Sequence, residues 1–155
     1  MIPASQFWSR KADEAFVVGE HYKLVEHHDR SGVSHRHFFA SVNNAHGNLP
    51  DELLEQYPTA EHLRKKALIW KGYRDERTIV VSAMAEAQRI AAFVKPMDDF
   101  AVVTVKDAAV RVWTAKSQST KAMGAKQFQA SKQDVLDFID DLLGVEPGTT
   151  ARNAA

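Results

Sequence analysis

Residues 116–126 read Lys116-Ser117-Gln118-Ser119-Thr120-Lys121-Ala122-Met123-Gly124-Ala125-Lys126, which sets a lysine at every fifth position among small hydroxylated residues. Hydroxyls, backbone amides and lysines leading into a helix are the groups that hold phosphates without reading the bases attached to them. Lys116, Ser117, Ser119, Thr120, Lys121 and Lys126 are therefore candidate contacts to a nucleic-acid backbone. The alternative for the same residues is a solvated loop that caps a helix. A second basic stretch holds Arg64, Lys65, Lys66, Lys71, Arg74 and Arg77. Arg64 and Lys65 from that stretch, together with Arg36, complete the candidate cationic set. Trp113, directly before the loop, and Tyr73, between Lys71 and Arg74, are the aromatics placed to stack on unpaired bases.

Five of the seven histidines lie between His27 and His46. A metal site there would draw His27 or His28 together with His35 and Asp29. His35 and His37 cannot share an ion on a helix, because positions two apart point about 200° from each other. The histidines otherwise belong to the packing of that region. Asp75-Glu76 and Asp98-Asp99 offer carboxylates for magnesium, but adjacent carboxylates diverge and suit turns. The chain carries no G-x-S-x-G elbow, phosphate-cradling glycine loop or H-E-x-x-H helix, so no catalytic residues are assigned and no cofactor is expected.

The elements that must position these groups are those of one domain. The 155 residues contain no cysteine, so disulfides, zinc-thiolate sites and thiol catalysis are excluded. With no basic leader and no apolar stretch of about 20 residues, a soluble cytoplasmic protein without a membrane partner is expected. Twenty basic and twenty acidic residues cancel, which argues against a protein that coats DNA by bulk charge. The charge is nevertheless segregated. Between Lys106 and Lys132 Asp107 is the only acid, whereas Asp134, Asp137, Asp140, Asp141 and Glu146 follow.

Patterning predicts one or two strands within 14–28, a turn at 29–32, and a helix capped by Ser34 that runs to about Asn44. A short helical turn spans 48–58. Thr59 caps a helix with Leu63, Ala67 and Trp70 on one face and Arg64, Lys65 and Lys71 largely off that face. A strand at 78–81 precedes a helix capped by Ser82 and stopped by Pro96, with Ala83, Ala87, Ile90, Ala91 and Val94 inward. Strands over 100–105 and 110–114 are joined as a hairpin. A long C-terminal helix from about Lys126 to Leu143 ends at Gly144. The expected architecture is α+β, a small mixed or antiparallel sheet with about four helices, as a single domain over 1–144 with a disordered tail over 145–155.

Placed in that order, these segments resemble the phage recombination proteins of the Orf (NinB) type. Arg30-Ser31, Ser34-His35-Arg36 and the pair Phe38-Phe39 stand where that family has an Arg-Ser turn followed by a polar-basic helix. Ala60-Glu61-His62-Leu63-Arg64-Lys65 looks like its next helix. Ser117-Gln118-Ser119-Thr120 with Met123 and Phe128 looks like its serine-rich loop leading into the terminal helix. His35 departs from the pattern, since an amide side chain is usual there. The resemblance spans roughly residues 20–143. It implies a small homodimeric protein that binds single-stranded DNA, meets the host single-strand-binding protein, and helps load a recombinase in the host cytoplasm. Two other classes remain beside it: a phage-encoded interaction module that redirects a host protein through its acidic C-terminal helix, and a metal-dependent nuclease built on the histidine cluster.

Overall fold

The computed structural model describes residues 17, 20, 21, 32–119 and 121–153. The candidates His27, His28, Asp29 and Thr120, the Arg30-Ser31 turn and the strands expected within 14–28 lie outside those residues. The described chain is mixed α+β, with six α-helices and one three-stranded antiparallel sheet.

Helix α1 runs from Gly32 to Gly47 and buries Phe38, Ser41, Val42 and Ala45. It starts two residues before Ser34, so Ser34 is no cap. Its hydroxyl instead accepts from Lys132 Nζ at 2.7 Å. Asp51–Leu54 forms the one-turn α2. Helix α3, Ala60–Trp70, opens where Thr59 Oγ1 accepts from the His62 amide, as a threonine N-cap should. It closes at Gly72, whose φ of +93° is left-handed and turns the chain so that the Tyr73 amide reaches the Leu68 carbonyl at 2.9 Å.

Strand β1 spans Arg74–Val80, longer than the 78–81 expected. It is an edge strand, exposed along nearly its whole length, so burial leaves no alternating signature in its polar first half. Helix α4, Met84–Val94, has Ala83 at its N-cap. Ser82 closes the helix start from one residue earlier, its amide and hydroxyl both donating to Glu86 Oε2. Of the expected inward residues Ala87 is buried and Ala83 is exposed. A 3-10 turn over Lys95–Met97 follows. Strand β2 begins at Val102, because the Asp98 carboxylate and carbonyl take the amides of Phe100 and Ala101 and hold 98–101 as a turn. Strand β3, Ala109–Ala115, is central, in the order β1-β3-β2. Both of its pairings are antiparallel, with Arg74 opposite Ala115 and Val102 opposite Trp113. Asp107 and Ala108 make the expected hairpin turn, each at positive φ.

Helix α5, Ala125–Leu143, buries Phe128, Val135 and Ile139 and stops at left-handed Gly144. The tail expected to be disordered is instead ordered through residue 153. Thr149–Arg152 forms α6 with Thr150 buried, because a buried carboxylate on α5, Asp140, accepts the amides of Gly148 and Thr150 at 2.7 and 2.9 Å.

The main core joins α1, α3 and α5 through Phe38, Val42, Leu63, Leu68, Phe128, Val135 and Ile139. Helix α4 packs on β2 and β3. Since Val110 is fully buried while its neighbour Arg111 is exposed, and alternate strand residues point to opposite faces, α4 covers the face that carries Val110. The chain leaves the end of the sheet after Ala115 and meets the helical core again at Met123.

Candidate functional site

An open pocket of about 390 Å³ lies where α1, α3 and the β3–α5 loop meet, lined by His35 and Phe39 from α1, Glu61, Arg64 and Lys65 from α3, and residues 115–119 of the loop. The main-chain path brings these groups together. Thr59 fixes the start of α3, which puts positions 61, 64 and 65 along one side of its first turns. The Lys116 amide donates to the Tyr73 carbonyl at 2.9 Å, extending the β1–β3 ladder by one pair and steering the loop away from the sheet toward α3.

Arg64 is the floor of this pocket. Its position on α3 lies outside the apolar stripe, yet the side chain is buried, and burying a guanidinium is costly unless every donor is answered. Glu61 answers two of them, Oε2 accepting from Nε at 2.9 Å and Oε1 from Nη2 at 2.6 Å. A third bond goes to Gln118 Oε1, which accepts from Nη1 at 2.5 Å. Gln118 Nε2 in turn donates to Ser131 Oγ at 2.8 Å, and that hydroxyl donates to the Phe128 carbonyl at 2.9 Å. Among the described residues no buried side-chain polar atom lacks a partner. The Glu61–Arg64–Gln118–Ser131 chain therefore fastens the loop to both α3 and α5 with its polar groups satisfied.

Lys65 sits higher on the wall. Its ammonium is 3.6 Å from Glu61 Oε1 and 3.9 Å from the centroid of the Phe100 ring, so a cation–π contact steadies it. The Arg64 guanidinium beside Glu61, and secondarily Lys65, hold that carboxyl below its ordinary value even though partial burial works the other way. Lys116 is exposed at the rim. The hydroxyl of Ser117 accepts from the Ser119 amide at 3.2 Å. Three cations therefore face one carboxylate across the described lining, a local surplus of positive charge in a chain whose total is zero.

Of the candidate residues, Arg64, Lys65, Lys116, Ser117 and Ser119 converge on this pocket. Lys121, Lys126 and Arg36 are exposed and do not line it. Tyr73 packs against the core and donates its hydroxyl to Asp134 Oδ2 at 2.5 Å. That bond, more than burial, raises the phenol above its ordinary value. Trp113 is engaged on the sheet. Its indole donates to Glu76 Oε2 at 2.7 Å, the Arg74 guanidinium lies 4.0 Å from a ring centroid, and Trp70 meets it edge-on at 5.8 Å. His35 stacks against Phe39 and Phe128 with centroids 4.8 and 5.5 Å away, and the His46 Nε2 donates to the Tyr57 carbonyl at 2.8 Å. Among the described residues no group of three or more histidine or acidic side chains is placed to hold a metal ion.

Sequence reading missed Gln118 and Glu61. The signal for Gln118 was only its place in the loop, an amide side chain between two serines that the structure leaves exposed. Glu61 was legible only as the residue three before Arg64, the spacing of a helical ion pair. The described residues form no helix long and apolar enough to cross a membrane. No protein-family model, no curated protein and no solved structure matches this chain.

Proposed function

We propose that the protein is a non-enzymatic accessory factor that binds single-stranded DNA, its pocket between α1, α3 and the β3–α5 loop holding the phosphate backbone without a cofactor. The observation that carries this reading is the convergence of Lys65 and Lys116, about fifty residues apart in sequence, on one open pocket with Ser117 and Ser119 beside them. Phosphates need cations and hydroxyl or amide donors in a concave site, not a high net charge. The resemblance to phage recombination proteins of the Orf type supports the same conclusion. It adds the biological setting: a phage or prophage homodimer in the host cytoplasm that meets the single-strand-binding protein or a recombinase.

Titration of a labelled oligonucleotide across ionic strength tests this. Affinity should fall with salt at a log-log slope of about −0.7 for each phosphate contacted. Lys116→Ala should flatten that slope by about one such contact. Retention of no single strand at low salt, or a slope that Lys65→Ala and Lys116→Ala leave untouched, removes this function.

A second reading, an interaction module for a host protein, draws on a different observation. Val80, Met84, Phe93 and Met97 are large, apolar and exposed within a short stretch of chain, as protein-binding surfaces often are. A partner retained from host lysate after nuclease treatment, together with no affinity for DNA, would favour it.

A further inference from the structure

The face of the sheet opposite α4 carries groups that the pocket does not use. Trp113 shares this face with Arg74 and Glu76, which it touches. Alternation along the paired strands then places Arg111 and Ala115 of β3, and Thr104 and Lys106 of β2, on the same side. Trp70, at the end of α3, leans over Trp113 and is 50 % exposed. Among the described residues the cations there are Arg74, Arg111 and Lys106, against one carboxylate, Glu76, whose Oε2 already accepts the Trp113 indole N–H. Ala115 belongs to both regions, since it lies opposite Arg74 in the sheet and also lines the pocket.

We infer that this sheet face, met by α3 at Trp113 and exposed beyond it at Arg111 and Lys106, continues the pocket as one track for a single-stranded nucleic acid, in which a base stacks on Trp70 beside the Trp113–Arg74 pair while Arg111 and Lys106 take phosphates farther along. This rests on the pocket's proposed role and names the course of the strand beyond it. Charge complementarity and aromatic surface select the occupant. A polyanion with exposed π-faces meets both, whereas an acidic peptide would leave the exposed indole unused. Side chains two apart on β3 are about 6.7 Å apart, so Trp113 and Arg111 address successive positions along an extended strand. Duplex bases are stacked on each other and cannot use Trp70, so the track favours single strands.

The test compares oligothymidylates of about 4 and about 16 nucleotides, the range of site sizes found for such grooves, with tryptophan fluorescence as a second readout. The longer strand should bind more tightly and quench the fluorescence. Lys106→Ser with Arg111→Ser should lower its salt slope by about 1.4, two contacts at about 0.7 each, and leave the shorter strand unaffected. Trp70→Leu, a change at a half-exposed site, should remove most of the quenching. An unchanged slope for the longer strand, or quenching that survives Trp70→Leu, overturns the track. Loss of both lengths in Lys65→Ser with Lys116→Ser, alongside either of those results, leaves the pocket's role standing and the track refuted.

Discussion

The Arg64 guanidinium donates to the carboxamide oxygen of Gln118, 54 residues away, in a buried hydrogen bond of 2.5 Å. This contact ties the helix that carries Lys65 to the loop that carries Lys116. Gln118→Ala removes an acceptor from Arg64 and a donor from Ser131 at once, and each buried group left unanswered costs about 1–3 kcal/mol. The variant should unfold at lower urea concentration. Its affinity for single strands should also fall, because Lys116 loses the anchor two residues along. Equilibrium denaturation and oligonucleotide titration of the same preparation check both, and a variant with unaltered binding would show that the loop is positioned by other means.

Glu61 makes stability depend on acid. Its carboxyl is held below its ordinary value of 4.5, chiefly by the Arg64 hydrogen bond. A carboxyl depressed in the folded state contributes its full stabilisation above the unfolded value and loses it as pH falls through the folded one. The urea midpoint should therefore hold steady at neutral pH and decline below about pH 4.5. Glu61→Gln should be less stable at neutral pH and show a flatter decline over that acid window. Denaturation at a series of pH values decides the matter.

The same substitution acts on the ligand with the opposite sign. Glu61 is the one carboxylate in the described pocket lining, so replacing it with an amide removes a like charge from the proposed phosphate path. Glu61→Gln should bind single strands several-fold more tightly at low salt, with the gain shrinking as ions screen the site. Weaker binding would mean that the pairing of Arg64 by a charged partner, rather than the surplus of cations, is what the ligand needs.

The β2–β3 turn carries a local cost. Asp107 and Ala108 have φ of 54° and 55°, the left-handed pair that a two-residue hairpin requires because its twist matches the strands. Aspartate tolerates this region and alanine does not. Ala108→Gly should stabilise the protein by about 1 kcal/mol, the difference glycine makes at such a site. Thermal melts measure it, and no increase would mean that the entropy glycine adds to the unfolded chain cancels the relief.

Helices with a broad apolar stripe and a clear stop were legible in the sequence. Thr59 capped α3 and Gly144 ended α5 as read, because capping chemistry is local. Strand β1 was half missed, since an exposed edge shows no burial pattern. Arg64 was placed off the core because periodicity sorts side chains by polarity, and it cannot see that Glu61 and Gln118 would supply a buried cation with acceptors. For the site, the grouping of Lys116, Ser117 and Ser119 is contiguous and so was readable, whereas Lys121 and Lys126 lie beyond the turn after the loop and leave the pocket. Which lysines share a surface depends on where a loop bends, and that is set by long-range bonds such as Lys116 to Tyr73.

Asp140 accounts for the order of the last described residues. Its side chain is 1 % exposed, and both oxygens accept amides at the start of α6, from Gly148 and Thr150. A carboxylate at that end also matches the positive pole of the helix. The Asn44 side chain holds the far end by donating to the Asn153 carbonyl at 3.2 Å. Asp140→Ala leaves the two amides without their acceptor, at about 1–3 kcal/mol for each that water does not reach. Amide hydrogen exchange should accelerate first at Gly148 and Thr150 and then across α6, ahead of the core of α5. Binding of single strands should be unaltered, because no residue of 140–153 lines the candidate pocket. Protection that persists at both amides in Asp140→Ala would show that packing of Thr150, rather than the carboxylate, is what keeps this segment folded on α5.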